Sequence, residues 1–379
     1  MNGRPPHLLH IFSTFVPAGP EMRTVRLIEA FGDAYRHSIV AMDGRTSAFQ
    51  ELPEGAPATL LESPPKAGSL ATTRRLRRLI QETQPDLVLS YNWGAFDTVF
   101  ATRTLRFQAH VHHEDGFNAD ESSEFVKRRV VTRKLLLPGV AKVVVPSENL
   151  GRIARDLWRL DPGHVRVIPN GVPFERFEPA DSRPALRASL GIPEDAPVIG
   201  YVGHLRPEKN PARFLNACAR VDPELGMHAL VLGDGPERET LEAICANKPT
   251  LYNRVHLVGH QNDPRDYYRA MDIFCLSSDT EQMPVALVEA MASALPAVAT
   301  DVGDVRAILP PDQGPFVIPL DERESAWPLA EALTELCKDE RRRRALGAGN
   351  RSRVEQAFTF EGMVEAYREV YQDALGRSR

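Results

Sequence analysis

The chain reads as an α/β protein built of two doubly wound domains, each a parallel sheet covered by helices. Three observations lead there. Short apolar segments recur along the whole length, helical stretches separate most of them, and the alternation breaks and restarts near Asn170. In the first half the strand-like segments are 8–12, 37–41, 86–89, 109–112, 142–146 and 165–168, with helices expected at 24–31 and 69–83. In the second half they are 198–202, 228–232, 255–258, 273–276 and 297–299, with helices at 210–220 and 237–247. The 379 residues are long enough for two separate cores. The resulting division is 1–169, 170–357 and a terminal helical segment, 358–379.

The second half carries the sharpest chemistry. Glu281 and Glu289 bracket the turn between the strand at 273–276 and an Ala-, Leu- and Met-rich helix that has Pro284 in its first turn. Backbone N–H groups at such a helix start, near Met283, Pro284 and Val285, suit a phosphate, whereas carboxylates suit the hydroxyls of a ribose or a hexose. A second segment, Gly200-Tyr201-Val202-Gly203-His204-Leu205-Arg206-Pro207-Glu208-Lys209-Asn210, ends a strand at Gly203 and delivers Arg206 and Lys209 to the loop beyond. A guanidinium and an ammonium three residues apart can neutralise a departing diphosphate. In open parallel sheets ligands sit outside the carboxyl ends of the strands, which places Gly203, Lys209 and Glu281 on one edge, expected to face the first domain across a cleft.

Together the two segments resemble the retaining glycosyltransferases of family 4, whose fold is called GT-B. The match extends to Val167-Ile168-Pro169-Asn170-Gly171-Val172, to Leu232-Gly233-Asp234-Gly235-Pro236-Glu237-Arg238 and to Val258-Gly259, and is dense from residue 165 to 309. The resemblance implies transfer of a sugar from a nucleotide-sugar, most readily a UDP-sugar, to a saccharide or lipid-linked saccharide with retention of anomeric configuration. No cofactor and no metal is called for, because protein cations neutralise the leaving group. By resemblance, Arg206, Lys209, Glu281 and His112 are the catalytic residues. Gly19, Gly203, Val258, Met283, Pro284, Val285 and Glu289 bind the donor, Glu289 through its ribose.

Upstream the resemblance thins. Phe15-Val16-Pro17-Ala18-Gly19-Pro20-Glu21-Met22-Arg23 stands where relatives often carry a Gly-Gly loop, with Ala18 in place of one glycine. Ala109-His110-Val111-His112-His113-Glu114-Asp115 is a strand ending in histidines and carboxylates; alternation puts His110 and His112 on one face, and His113 opens the loop. Relatives place a histidine here, His112 or else His113. The spacing of His112, His113, Glu114 and Asp115 fits no familiar zinc pattern.

Composition narrows the class. No apolar run approaches the ~18 residues of a membrane span, and the N-terminus lacks the apolar stretch of an export signal, so a cytoplasmic protein is expected. Four scattered cysteines form neither a metal knuckle nor a disulfide framework. Residues 1–169 hold 22 Lys or Arg against 18 Asp or Glu, while residues 170–379 hold 24 against 33. The basic residues of the first half gather in Arg74, Arg75, Arg77 and Arg78 and in Lys127, Arg128, Arg129, Arg133 and Lys134, on helix-like segments suited to an anionic membrane surface. An acidic chain without aromatic-basic interleaving argues against a nucleic-acid partner. A dinucleotide-dependent oxidoreductase is disfavoured because no G-x-G-x-x-G follows the first strand. A non-catalytic nucleotide-sugar binder or regulatory subunit of the same fold is the alternative reading.

Overall fold

The computed structural model describes residues 4–63, 68–116, 125–178, 182–320 and 326–377. The chain divides into two compact units, Met1–Asn170 with Met363–Arg379, and Gly171–Gly362.

Among the described residues the first unit holds a parallel sheet of seven strands: β1 (His7–Phe12), β2 (Arg36–Ala41), β3 (Ala58–Leu60), β4 (Leu87–Tyr91), β5 (His110–His113), β6 (Lys142–Val145) and β7 (Val165–Val167). Their order is β3-β2-β1-β4-β5-β6-β7. The second unit holds six: β8 (Val198–Val202), β9 (His228–Leu232), β10 (Val255–Gly259), β11 (Ile273–Leu276), β12 (Ala297–Thr300) and β13 (Val317–Ile318), ordered β10-β9-β8-β11-β12-β13. Both sheets grow outward in one direction and then restart on the other side of their first strand. The order therefore reverses between β1 and β4 in one unit and between β8 and β11 in the other, and such reversal points open a crevice at the carboxyl ends of the strands.

Strands β1, β4, β9, β11 and β12 are buried throughout, as expected of parallel strands covered on both faces, and this is why they read as mainly apolar segments without strict alternation. Sequence reasoning missed β3 and β13. Both are short edge strands of three and two residues, too brief to show a period.

Two local differences bear on function. The helix expected from Thr24 begins instead at Gly19 and runs Gly19–Phe31, because Pro20 supplies a preset φ and Glu21 an acidic side chain to its first turn. Gly19 thus opens a helix and does not belong to a free loop. His113 is the last residue of β5, paired in register with Tyr91 and Val144, and does not begin the following loop.

Gly171 follows the division between the units in sequence. A Cβ there would lie 2.2 Å from the carbonyl oxygen of Thr359. Beside it Val172 N–H donates to Phe358 O and Phe360 N–H to Val172 O, both at 2.9 Å, so only glycine lets these two backbone segments of the second unit touch.

Candidate functional site

In the second unit, the loops leaving β8 and β11 meet at the reversal point. Lys209 ends the single 3₁₀ turn Pro207–Lys209, and its Nζ donates to both carboxylate oxygens of Glu281 at 2.7 Å. Ser278 adds a hydrogen bond of 2.8 Å to Glu281 Oε1. The Glu281 side chain is 9% exposed and Lys209 31%, so the pair is held at the edge of solvent. Arg206 differs. Its side chain is 57% exposed and lies 3.9 Å from Glu208, a distance at which a solvated pair contributes little. The two loops are laced together: Asp279 N–H donates to Glu208 O at 2.9 Å, Ser277 Oγ to Asn210 O at 2.9 Å, and Arg213 pairs with Asp279 at 2.6 Å.

Three glycines explain why these loops hold their shape. Gly233, at φ +139, would place a Cβ 1.8 Å from the carbonyl oxygen of Gly203, and Gly235, at φ +153, would place one 2.6 Å from that of Leu205. The L-G-D-G-P segment is therefore the buttress behind the G-x-L-R-P-E-K loop, which it holds through Leu205 N–H to Asp234 O at 3.0 Å. Gly303, at φ +54, would bring a Cβ within 2.3 Å of Glu281 O, so the turn carrying Glu281 rests on Gly303. A side chain at Gly203 would meet nothing nearer than the Tyr201 hydroxyl at 3.5 Å, an ordinary contact. The fold itself does not demand glycine there.

The helix after β11 spans Val285–Ala292, so Pro284 caps it and does not lie in its first turn. Its backbone ladder starts with Leu287 and Val288, whose N–H groups donate to Pro284 O; the amides of Val285 and Ala286 come before it. Met283 and Pro284 are buried beneath this start. Glu289 lies mid-helix, its Oε2 2.9 Å from the hydroxyl of fully buried Tyr268. Burial, and then the Glu289 carboxylate, push the Tyr268 hydroxyl well above its ordinary pKa, so it stays a donor. Val258 on β10 is half-buried and accepts the Gln261 side-chain amide at its carbonyl, 2.9 Å away.

In the first unit His112 is fully buried. Its Nδ1 is 2.8 Å from Ser90 Oγ, which also reaches His110 Nε2 at 2.7 Å, as expected for two residues on one face. The Nε2 of His112 faces Glu114 at 3.6 Å, and Glu114 is bound by buried Arg133 at 3.0 Å. His113 stacks on Tyr91 and Tyr367, and its Nε2 is buried without a hydrogen-bond partner among the described residues. Burial, then the charge of Arg23, hold its imidazole well below the usual pKa and hence neutral. Arg23 is bidentate to Asp115, at 2.5 and 2.9 Å, and reaches Asn170 Oδ1 at 3.1 Å. Gly19 is exposed and open to solvent.

Both basic segments are helical, Ser69–Thr83 and Lys127–Leu136. In the first, Arg74 and Arg78 are exposed and Arg75 and Arg77 half-buried. In the second, the outward face consists of Lys127, Arg128, Val131, Lys134 and Leu135. Arg129 does not share it. Four residues before Arg133, it falls on the inner face, half-buried over the Trp93 ring at 5.3 Å, while Arg133 lies 5.0 Å from both Trp93 and Trp158. Among the described residues no helix is long and apolar enough to cross a membrane, and no group of three or more His, Cys, Asp or Glu is placed to hold a metal ion.

Sequence reasoning overlooked Tyr268, Ser278 and the Arg23–Asp115 pair. Ser278 stands three residues before Glu281, a local spacing that could have been read; Tyr268 and Asp115 join partners 21 and 92 positions away, which no local pattern reveals.

Comparison with known proteins fits this geometry. The family model for glycosyl transferases group 1 matches residues 182–353, and that for glycosyltransferase family 4 matches residues 17–176. The chain belongs to the family 4, group 1 glycosyltransferases. It is 31% identical over 270 residues to the D-inositol 3-phosphate glycosyltransferase of Kineococcus radiotolerans, covering 65% of this chain and 60% of that one. It is 28% identical over 220 residues to the UDP-Gal:alpha-D-GlcNAc-diphosphoundecaprenol alpha-1,3-galactosyltransferase of Escherichia coli, covering 57% and 56%. The match thus spans less than two thirds of these relatives' length. Anabaena HepE, solved in complex with UDP, superposes with a TM-score of 0.79 at 19% identity over 96% of this chain and 98% of its own. WaaG, a glycosyltransferase involved in lipopolysaccharide biosynthesis, does so with 0.71 at 17% identity over 96% and 99%. The fold of this member is accordingly GT-B, two Rossmann-like units with parallel sheets.

Proposed function

We propose that this chain transfers a sugar from a nucleotide-sugar, a UDP-sugar by preference, to a hydroxyl of a saccharide or lipid-linked saccharide in polysaccharide or glycoconjugate assembly. The observation that carries this is the Lys209–Glu281 pair beside solvent-exposed Arg206 at the reversal point of the second sheet. UDP is favoured because HepE binds UDP and UDP-glucose and the Escherichia coli relative is named for UDP-Gal.

In this scheme the diphosphate lies against the Val285 and Ala286 amides and the Arg206 guanidinium, with Lys209 turning part of its ammonium from Glu281 to a phosphate oxygen. As the glycosidic bond breaks, negative charge grows on that diphosphate and these groups stabilise it. Glu281, held in place by Ser278, takes sugar hydroxyls, and Glu289, oriented by Tyr268, takes the ribose diol. With protein cations doing the neutralising, activity should persist in EDTA. The acceptor attacks from the leaving-group side and configuration is retained, an outcome that NMR coupling constants of the product read directly. His112, joined to Glu114 and Arg133, supports the end of β5 from within.

Attachment to an anionic leaflet, on the cytoplasmic side of a membrane, completes the proposal. Arg74, Arg78, Lys127, Arg128 and Lys134 supply charge, and exposed Val131 and Leu135 supply apolar contact. A thermal-shift screen against UDP-, GDP-, ADP- and TDP-sugars, followed by nucleotide release with saccharide acceptors, tests the whole reading. Stabilisation by none of these would contradict it.

A further inference from the structure

The amino ends of β11 and β12 carry a cavity that the proposed transfer does not use. It measures about 300 Å³, at the small end of ligand pockets, and is lined by residues of the second unit alone. Asp272 directly precedes β11 and Pro296 directly precedes β12, so the cavity stands at the opposite end of the strands from Glu281. Its charged walls are Arg183, Arg269, Arg343 and Arg344 against Asp272 and Glu340, which leaves positive charge in excess.

The neighbouring groups do not remove that excess. Asp272 accepts from fully buried Arg187 at 2.7 Å, from Arg183 at 2.6 Å and from the Val198 N–H at 2.8 Å. Arg187 alone would neutralise it, so Arg183 is a second cation on one carboxylate. Arg269 pairs with Asp266 at 2.7 Å and Arg344 with Glu340 at 2.5 Å, both within one helix and both with an exposed carboxylate, the kind of pair that contributes little. Arg343 donates to the carbonyl oxygens of Leu336 and Cys337 at 2.7 and 2.9 Å, and no carboxylate among the described residues stands within ion-pair distance of it. Burial holds the Arg187 guanidinium below its ordinary pKa in spite of Asp272, and the charges of Arg183 and Arg343 add to the depression. Like charges gathered at one small cavity repel one another, a cost that a bound anion removes.

We propose that this cavity is a second anion site, built for a short polyphosphate and separate from the position of the donor diphosphate. The guanidinium groups come from three helices, Arg183–Ser189, Arg265–Ala270 and Glu340–Ala357, so they do not share one plane of approach. Tetrahedral phosphates present oxygens in several directions and suit such walls, whereas a carboxylate offers two oxygens in a single plane. The small volume favours a short polyphosphate over a whole nucleotide.

Calorimetric titration of inorganic triphosphate into the full chain, saturated with UDP and kept in EDTA, tests the site, because UDP holds the donor position filled. One equivalent of triphosphate should bind. Arg183→Gln and Arg343→Gln should each weaken that binding about tenfold or more, the loss of one charge-assisted contact, while UDP affinity measured without triphosphate stays the same. Arg344→Gln alters a side chain that is 81% exposed, so it should fold normally and cost about threefold. No binding of triphosphate to the UDP-saturated protein, or unchanged binding in the folded variants, would overturn the proposal. Absence of UDP binding would strike the donor reading alone; triphosphate titrated into Arg206→Ala, which lacks the exposed donor-site cation, should still bind with one equivalent, and its failure to do so would overturn the second site.

Discussion

The two sheets reverse strand order in the same way and carry their loops at the same place, yet the two crevices hold opposite chemistry. In the second unit a solvent-facing guanidinium stands beside an edge-of-solvent ammonium that is paired with Glu281. In the first, a carboxylate oxygen of Glu21 without a hydrogen-bond partner among the described residues and neutral imidazoles sit beneath the surface. Topology decides where a ligand goes; the side chains delivered there decide which ligand it is.

The contrast also predicts which unit yields first to acid. Burial holds His7, His10, His37, His110 and His113 of the first unit below their ordinary pKa. Burial, and then the nearby His7, hold His37 at about 4, well below the ordinary histidine value. A histidine depressed in the folded state binds protons more readily when unfolded. Its contribution is complete above about pH 6.5 and is lost as the pH falls from there toward 4. For His37 that is on the order of 3 kcal/mol. In the second unit His228, at about 4, His256 and His204 act in the same direction but are fewer. Hydrogen exchange followed from pH 7 to 4 should show β1, β2, β4 and β5 losing protection before β8 and β11. Simultaneous loss in both sheets would remove this distinction.

Next in size is the cation pair. Arg206→Ala and Lys209→Ala should each lower turnover roughly 10²-fold, the cost of one preorganised charge-stabilising donor. Melting temperature should move little for Arg206→Ala, since its side chain is mostly exposed. Wild-type turnover in both variants would leave the second crevice without its assigned role.

The smallest effect concerns the membrane face, where each outward basic residue near an anionic surface contributes about 1 kcal/mol. Vesicles containing anionic lipid should sediment the protein at low salt and release it at high salt. Replacing Lys127, Arg128 and Lys134 with Gln should weaken this binding, whereas Arg129→Gln should not, because Arg129 lies inward over Trp93. Equal losses in both variants would show that charge position is irrelevant.

Much of the second unit was legible in sequence because its determinants are local. Buried parallel strands read as apolar runs, and Arg206, Lys209, Glu281 and Glu289 sit on the loop and helix immediately after β8 and β11. What stayed hidden depends on distant partners. Tyr268 reaches Glu289 from another helix, and Arg23 finds Asp115 across the first sheet. The segment 15–23 reads as a loop by resemblance, whereas its second half, from Gly19, with Pro20 and Glu21 in the first turn, is already helix. Gly233 shows the same limit. Its motif was visible, while its purpose, contact with the Gly203 carbonyl, required the fold.

The central claim is that two neighbouring carboxylates divide nucleotide and sugar between them, and calorimetric titration with UDP alone tests it most directly. Glu289→Ala removes the proposed ribose acceptor and should weaken UDP about tenfold or more. Glu281→Ala releases Lys209 from its carboxylate and should leave UDP affinity unchanged or tighter, while transfer of the sugar fails. Equal loss of UDP affinity in the two variants would contradict the account.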